Sequence, residues 1–409
     1  MWRISCISAV CFVSSLCSEF VTASQDTIGP NGINSAGLGL DGSGVVIGQV
    51  EAFRPGKPMF DDIVNCCNAD VKPTGVFFRD QPMSASKNQA VDDDHAEAVA
   101  GVMISTNTGS IGPEGTAPRG VAIAASLNSS AYDAVPTDQA TAAITTQALA
   151  NIPNMRVINM SFGMDFSGGI STLDGSSLLS QFVDWSAQNS VNDVLYVVAG
   201  NEASHAGPIP TDNYNGLTVA MSGKASDGKF RQVSTDNVYS QDPSNRPLTD
   251  LVAPGFLLDV AGVNGTFLNA VSDPPNIGTS YAAPHVTGTI AILDQYAGAQ
   301  GLADAVHHQA MKAILMNSAD KLAGVLGMDR DVLNPDGTKW HAAIDYPLDA
   351  KMGAGELDAK RAVQQLGAGE FHFNQASVPA VGWDYNVTDG ESQVWRTHWG
   401  LLARSEGMF

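Results

Sequence analysis

The segment IGTSYAAPHVTGTIAIL, residues 277–293, sets Ser280 just after a Gly-Thr pair at the opening of an apolar helical stretch. A hydroxyl there lies at the positive end of a helix dipole, which favours a developing negative charge. Serine in such a place can also be a plain N-cap. It becomes a nucleophile only when a base takes its proton and an acid orients that base. Both residue types occur upstream. His95 opens the segment HAEAVAGVMIS (95–105), and Glu51 ends the apolar run GVVIGQVE (44–51). Asn201, in VVAGNEAS (197–204), follows another apolar run at a Gly-enabled turn. Asparagine there is usually a turn former, but its amide can also donate to an oxyanion. The chemistry these types could perform together is acyl transfer.

The elements that must hold them alternate along the chain. Strand patterns fall at 44–51, 120–127, 156–161, 194–200, 217–221 and 250–254. Helical patterns fall at 95–105, 137–151, 178–188, 279–297 and 303–319. Strands alternating with helices of this length predict βαβ units: an α/β fold, doubly wound, with a mostly parallel sheet and helices on both faces. The small residues Ala282, Ala283 and Gly288 allow close packing behind Ser280, and Pro284 falls early in the same helix. His285 is expected to be packed rather than catalytic, and His307 and His308 are expected on the surface. Asp92, Asp93 and Asp94 read as a solvated acidic turn beside His95.

Composition narrows the function classes. Acidic residues outnumber basic ones by 42 to 21, a formal charge of -21. A phosphate backbone or an anionic lipid surface would be repelled, so neither nucleic acid nor membrane is an expected partner. Arg3, the apolar run 4–17 and the small residues Val21-Thr22-Ala23 read as an export signal over residues 1–23. A secreted or extracytoplasmic monomer is the expectation. Three of five cysteines fall within that segment, and the neighbours Cys66 and Cys67 suit neither a disulfide nor a zinc site. The peptidase-like unit is expected over 24–367. A C-terminal tail, 368–409, reads either as a segment packed on that unit or as the first strands of a truncated β unit, the second being preferred.

In their order, these motifs resemble the subtilisin-like serine peptidases. The string around Ser280 is similar to that family's nucleophile motif almost position for position. HAEAVAG (95–101) keeps the first histidine and the closing Val-Ala-Gly of the family's His-Gly-Thr-His-Val-Ala-Gly. GVVIGQVE aligns with the first core strand and puts Glu51 where the family has aspartate. Asn201 corresponds to the oxyanion-hole asparagine of Ala-Ala-Gly-Asn, which argues against the sedolisin branch. INMSFG (158–163) is similar to the substrate-binding edge, with Ser161, Phe162 and Gly163 meeting an extended peptide. The order acid, histidine, asparagine, serine is the subtilisin order, unlike the chymotrypsin and α/β-hydrolase orders.

The resemblance implies a serine endopeptidase with Glu51, His95 and Ser280 as triad and a polypeptide substrate. It requires no cofactor and no catalytic metal, and it admits calcium as a structural ion. A catalytically weak or silent peptide-binding protein is the alternative. Glu51 and the short stretch 24–43, too short for the usual inhibitory prodomain, favour it. An esterase is disfavoured because no G-x-S-x-G elbow surrounds Ser280.

Overall fold

Val46–Glu51 forms the first strand, β1, and both of its faces are covered, as a near-continuous apolar run requires. The computed structural model describes residues 39–52, 69–82, 95–106, 119–132, 138–166, 172–200, 208–224, 230–233, 240–241, 243–262, 267–268, 276–320, 348–371, 379 and 381–385. Further strands are Gly75–Phe78 (β2), Gln81–Pro82 (β3), Ser126–Ala131 (β4), Met155–Met160 (β5) and Leu195–Ala199 (β6). Leu217–Lys224 (β7), Phe230–Gln232 (β8) and Leu251–Pro254 (β9) follow. Among the described residues these nine make one sheet in the order β3-β2-β4-β1-β5-β6-β7-β8, with β9 also pairing β7. Within this sheet, among the described residues, only the β2–β3 and β7–β8 pairs are antiparallel. The mostly parallel α/β fold read from the sequence is the fold observed.

Among the described residues six α-helices cover the sheet: His95–Ile104 (α1), Gln139–Ala150 (α2), Leu178–Asn189 (α3), Thr279–Gln300 (α4), His308–Ser318 (α5) and Ala359–Gly367 (α6). Residues of α1, α4, α5 and α6 share one core with Ile47, Leu127, Val157 and Val197. Residues of α2 and α3 share the other with Val50, Ile158, Met160 and Val198. Strand alternation therefore puts Gln49 and Glu51 on the α1/α4 side with Ile47, and Asn159 on that side with Val157. Helix α4 lies close to its neighbours because it is built of small residues. A Cβ at Gly288 would stand 2.6 Å from Val121 Cβ, so that position needs glycine.

After β4 the chain crosses β1 and pairs β5 on its far side. Where strand order reverses in this way, the carboxyl ends of the strands border a crevice that binds ligands. Glu51 is the last residue of β1.

Three local expectations are corrected. The strand expected over 120–127 begins instead at Ser126 and runs through SLNSSA. Val121 and Ala122 turn back to bond the carbonyls of Val102 and Met103, closing the end of α1. Their apolar character serves the helix layer, whereas the strand itself carries the buried polar residues Asn128, Ser129 and Ser130. The helix expected over 303–319 breaks at His307, whose backbone is extended between a short turn at Ala303–Val306 and α5. His308 is buried rather than on the surface, and His307 is part-buried. Both imidazoles turn inward because Asp193 takes a bond from each Nδ1. Burial opposes ionisation of Asp193, but those imidazole bonds outweigh it and hold its carboxyl below the usual range. In the described part of 368–409, Trp383 is buried in the α4/α6 core and its Nε1 donates to Leu366 O at 3.0 Å.

No helix among the described residues is long and apolar enough to cross a membrane. Residues 1–23, Cys66, Cys67, Asp92, Asp93, Asp94 and Asn201 lie outside the described residues.

Candidate active site

Glu51 is 1% exposed, a position that a carboxylate occupies only when its oxygens are met by donors. Its Oε2 lies 3.0 Å from His95 Nδ1, and its Oε1 accepts from Gln49 Nε2 at 3.0 Å. The two residues are 44 positions apart and meet because β1 ends where α1 begins. His95 is the first residue of α1, and its side chain keeps 13% of its surface exposed. With Nδ1–H donated to the carboxylate, Nε2 carries the ring's basic lone pair. The acid–base pair expected from the sequence is therefore in contact.

Ser280 is the second residue of α4. Its neighbour Tyr281 brings α4 to the pair: the ring centroids of Tyr281 and His95 are 6.0 Å apart. The start of α4 is fixed from three directions. Thr279 Oγ1 donates to Gly200 O at 2.7 Å, Gly278 N–H donates to Gly255 O at 2.8 Å, and Ser161 Oγ donates to Ser280 O at 2.8 Å. The last of these answers a deficit set by the sequence. Pro284 has no N–H, so the carbonyl four residues earlier, that of Ser280, loses its helical partner. Ser161, arriving at the end of β5, supplies the missing donor.

Behind Ser161 the polar chain continues inward. Asn159 Nδ2 donates to Ser161 Oγ at 2.8 Å, and Thr287 Oγ1 donates to Asn159 Oδ1 at 3.2 Å. All of Asn159, Ser161 and Thr287 are buried. The Ser280 hydroxyl itself donates to Ser161 O at 3.2 Å. It has a single proton, so that proton reaches His95 only after the hydroxyl leaves the Ser161 carbonyl.

The expected substrate edge is mixed in character. Ser161 meets Ser280, but Phe162 is buried, its ring 4.8 Å from that of Tyr132, and Gly163 is half-buried. Asn201 directly follows Gly200, whose carbonyl is tied to Thr279. Two residues were not singled out from the sequence, Gln49 and Asn159, and Ser161 was expected to act through its main chain rather than its side chain. The signal for the two was available as polar residues inside the apolar runs GVVIGQVE and RVINMS, each two positions before a candidate site residue.

His285, one turn beyond Tyr281, is packed as expected and fully buried. Its Nδ1–H donates to Tyr281 O at 2.8 Å, and burial pushes its pKa down to about 4.

The Subtilase family's profile matches residues 59–337 of the chain. Comparison with curated proteins found no match. Among solved structures the fold is similar to fervidolysin from Fervidobacterium pennivorans, a keratinolytic enzyme related to subtilisin. Identity is 18% and the TM-score 0.54, over 81% of this chain and 44% of that one. It is also similar to MycP1 without its N-terminal propeptide, at 20% identity and TM-score 0.51, over 83% and 96% of the two chains. A third is the prenylagaramide maturation protease PagA, at 18% identity and TM-score 0.50, over 78% and 93%. At these identities the structures speak for the fold. The chain spans less than half the length of fervidolysin.

Two outcomes are expected from this geometry. Ser161→Ala leaves the Ser280 carbonyl without its donor and costs about 1–3 kcal/mol, read by chemical denaturation. For His285 the folded pKa is depressed, so below pH 6.5 the unfolded chain binds the extra proton and stability falls until about pH 4. His285→Gln removes that dependence, and the two unfolding curves differ in slope across this window by up to roughly 3 kcal/mol in total.

Proposed function

The chain belongs to the subtilase family, and on that footing we propose that it is a secreted serine endopeptidase cleaving extended polypeptide through an acyl-enzyme on Ser280. One observation carries the reading: a buried carboxylate, Glu51, 3.0 Å from Nδ1 of a part-exposed imidazole, His95, beside the helix start that holds a serine. A carboxylate in that place holds the imidazole in one tautomer and stabilises its protonated form. Glutamate does so here with one more methylene than the family's aspartate.

In this mechanism a peptide carbonyl enters above the start of α4. The Ser280 hydroxyl turns from Ser161 O to His95 Nε2, which takes its proton as Oγ attacks the carbonyl carbon. The tetrahedral oxyanion accepts from the Ser280 N–H and from the Asn201 amide, aided by the positive end of α4. Collapse breaks the C–N bond, and His95 Nε2–H protonates the leaving amine. Water, activated by the same nitrogen, then releases the acyl group. The main chain of Ser161–Gly163 would pair with the extended substrate. The reading requires no cofactor, gives calcium at most a structural role, and takes the working unit as a monomer outside the cytoplasm.

A catalytically silent peptide-binding protein is the second reading. The observation in its favour is the Ser280 proton directed at Ser161 O.

A fluorophosphonate probe on the purified protein separates the two. Labelling is expected in the wild type and absent in Ser280→Ala. In Glu51→Ala, peptide hydrolysis is expected to fall about 10⁴-fold, the scale for loss of a triad acid. Folded wild-type protein that takes no label would leave the binding reading standing.

A further inference from the structure

We propose that Gln49 is a positioning residue: its side-chain amide fixes the Glu51 carboxylate against the first turn of α1 and reserves one carboxylate oxygen for His95. The proposal rests on the reading of Glu51 and His95 as the acid and base of a peptidase.

Gln49 is fully buried in the central strand, where a valine or leucine would serve the core better. Its Nε2 lies 3.0 Å from Glu51 Oε1 and 2.9 Å from Ala96 O. Both neighbours are acceptors, so chemistry decides the amide's orientation: only the NH2 end can face them. Its two N–H bonds are therefore divided between the acid's carboxylate and the backbone next to His95. The amide spans the strand that carries the acid and the helix that carries the base.

The need for such a bridge follows from glutamate. Compared with aspartate it has one more rotatable bond, and a carboxylate at the end of a longer stem can swing away from the imidazole. Residues 49 and 51 point to the same face of β1, two apart, so the amide lies behind the carboxylate and restrains that swing. In register with Gln49 on the neighbouring strands are Ser129 on β4 and Asn159 on β5. Asn159 repeats the arrangement, donating forward to Ser161 two residues on. Two side-chain amides in one row thus each brace a residue of the row in front. One braces the acid, and the other braces the serine that holds the Ser280 carbonyl.

The test compares Gln49→Leu with wild type by kinetics and by NMR of the histidine-labelled protein, in which the proton on His95 Nδ1 is observed directly. The expected result is a kcat lower by about 10- to 100-fold with KM nearly unchanged, as for residues that orient an active-site group through another. With it, the Nδ1 proton resonance should shift or broaden. A folded Gln49→Leu protein with wild-type kcat and a wild-type Nδ1 resonance overturns the proposal, because a residue needed for packing alone would leave both unchanged. Should that variant not fold, the Gln49 amide protons are followed in glutamine-labelled wild type. Slow exchange and a shift on Glu51→Gln support the bridge, and fast exchange with no shift refutes it. If the wild-type protein takes no probe at Ser280, the peptidase reading fails, while both NMR measurements still decide the role of Gln49.

Discussion

A carboxylate with 1% of its surface in contact with solvent is the constraint around which this structure is arranged. Stripped of water, Glu51 would cost several kcal/mol if its oxygens faced apolar neighbours. The fold answers with one donor from its own strand, Gln49, and one from the helix that starts at the strand's end, His95. Each donor fixes something else. Gln49 ties β1 to the backbone of α1, and the His95 ring lies 6.0 Å from that of Tyr281 at the start of α4. The position of three elements thus follows from satisfying one buried charge.

A second deficit is resolved in the same manner on the neighbouring strand. Pro284 frees the Ser280 carbonyl, and Ser161 occupies it. The proline also keeps the early helix from closing on itself, so α4 must be completed by β5. Strand and helix are thereby joined through a hydrogen bond that an uninterrupted helix would not have needed. Buried polar groups of this kind specify one arrangement of the parts because each alternative leaves a partner unmet. The cores on either side of the sheet are apolar and would tolerate small slips. The row of Gln49, Asn159 and their acceptors would not.

Much of this could be read from the residues alone. Alternating apolar runs and helical stretches were enough for the α/β fold, since most of those runs are strands covered on both faces. Glu51 and His95 were legible as a pair through the resemblance of GVVIGQVE and HAEAVAG, in their order, to the subtilisin-like motifs. What was not legible is instructive. The strand SLNSSA carries only Leu127 and Ala131 as apolar signal, and its place comes from pairing with neighbours on both sides. The break at His307 depends on Asp193, more than a hundred residues earlier, which no local pattern can reveal. Gln49 and Asn159 were passed over because polar residues inside apolar runs look like noise until a partner is seen.

The bonds that fix Ser280 join it to parts of the chain far upstream. Thr279 reaches back 79 residues to Gly200, and Ser161 lies 119 residues before Ser280. Helix α4 also fills the middle of the larger core. During synthesis the strands and helices of the amino-terminal half emerge first, and Glu51 and His95 can meet before the segment bearing Ser280 has been made. Of Glu51, His95 and Ser280, the serine is therefore the last to be made, and it arrives on a helix that carries much of that core, with α5 and α6 still to follow. A nascent chain that stops before residue 280 therefore holds Glu51 and His95 without the serine, and lacks α4, α5 and α6 of that core as well.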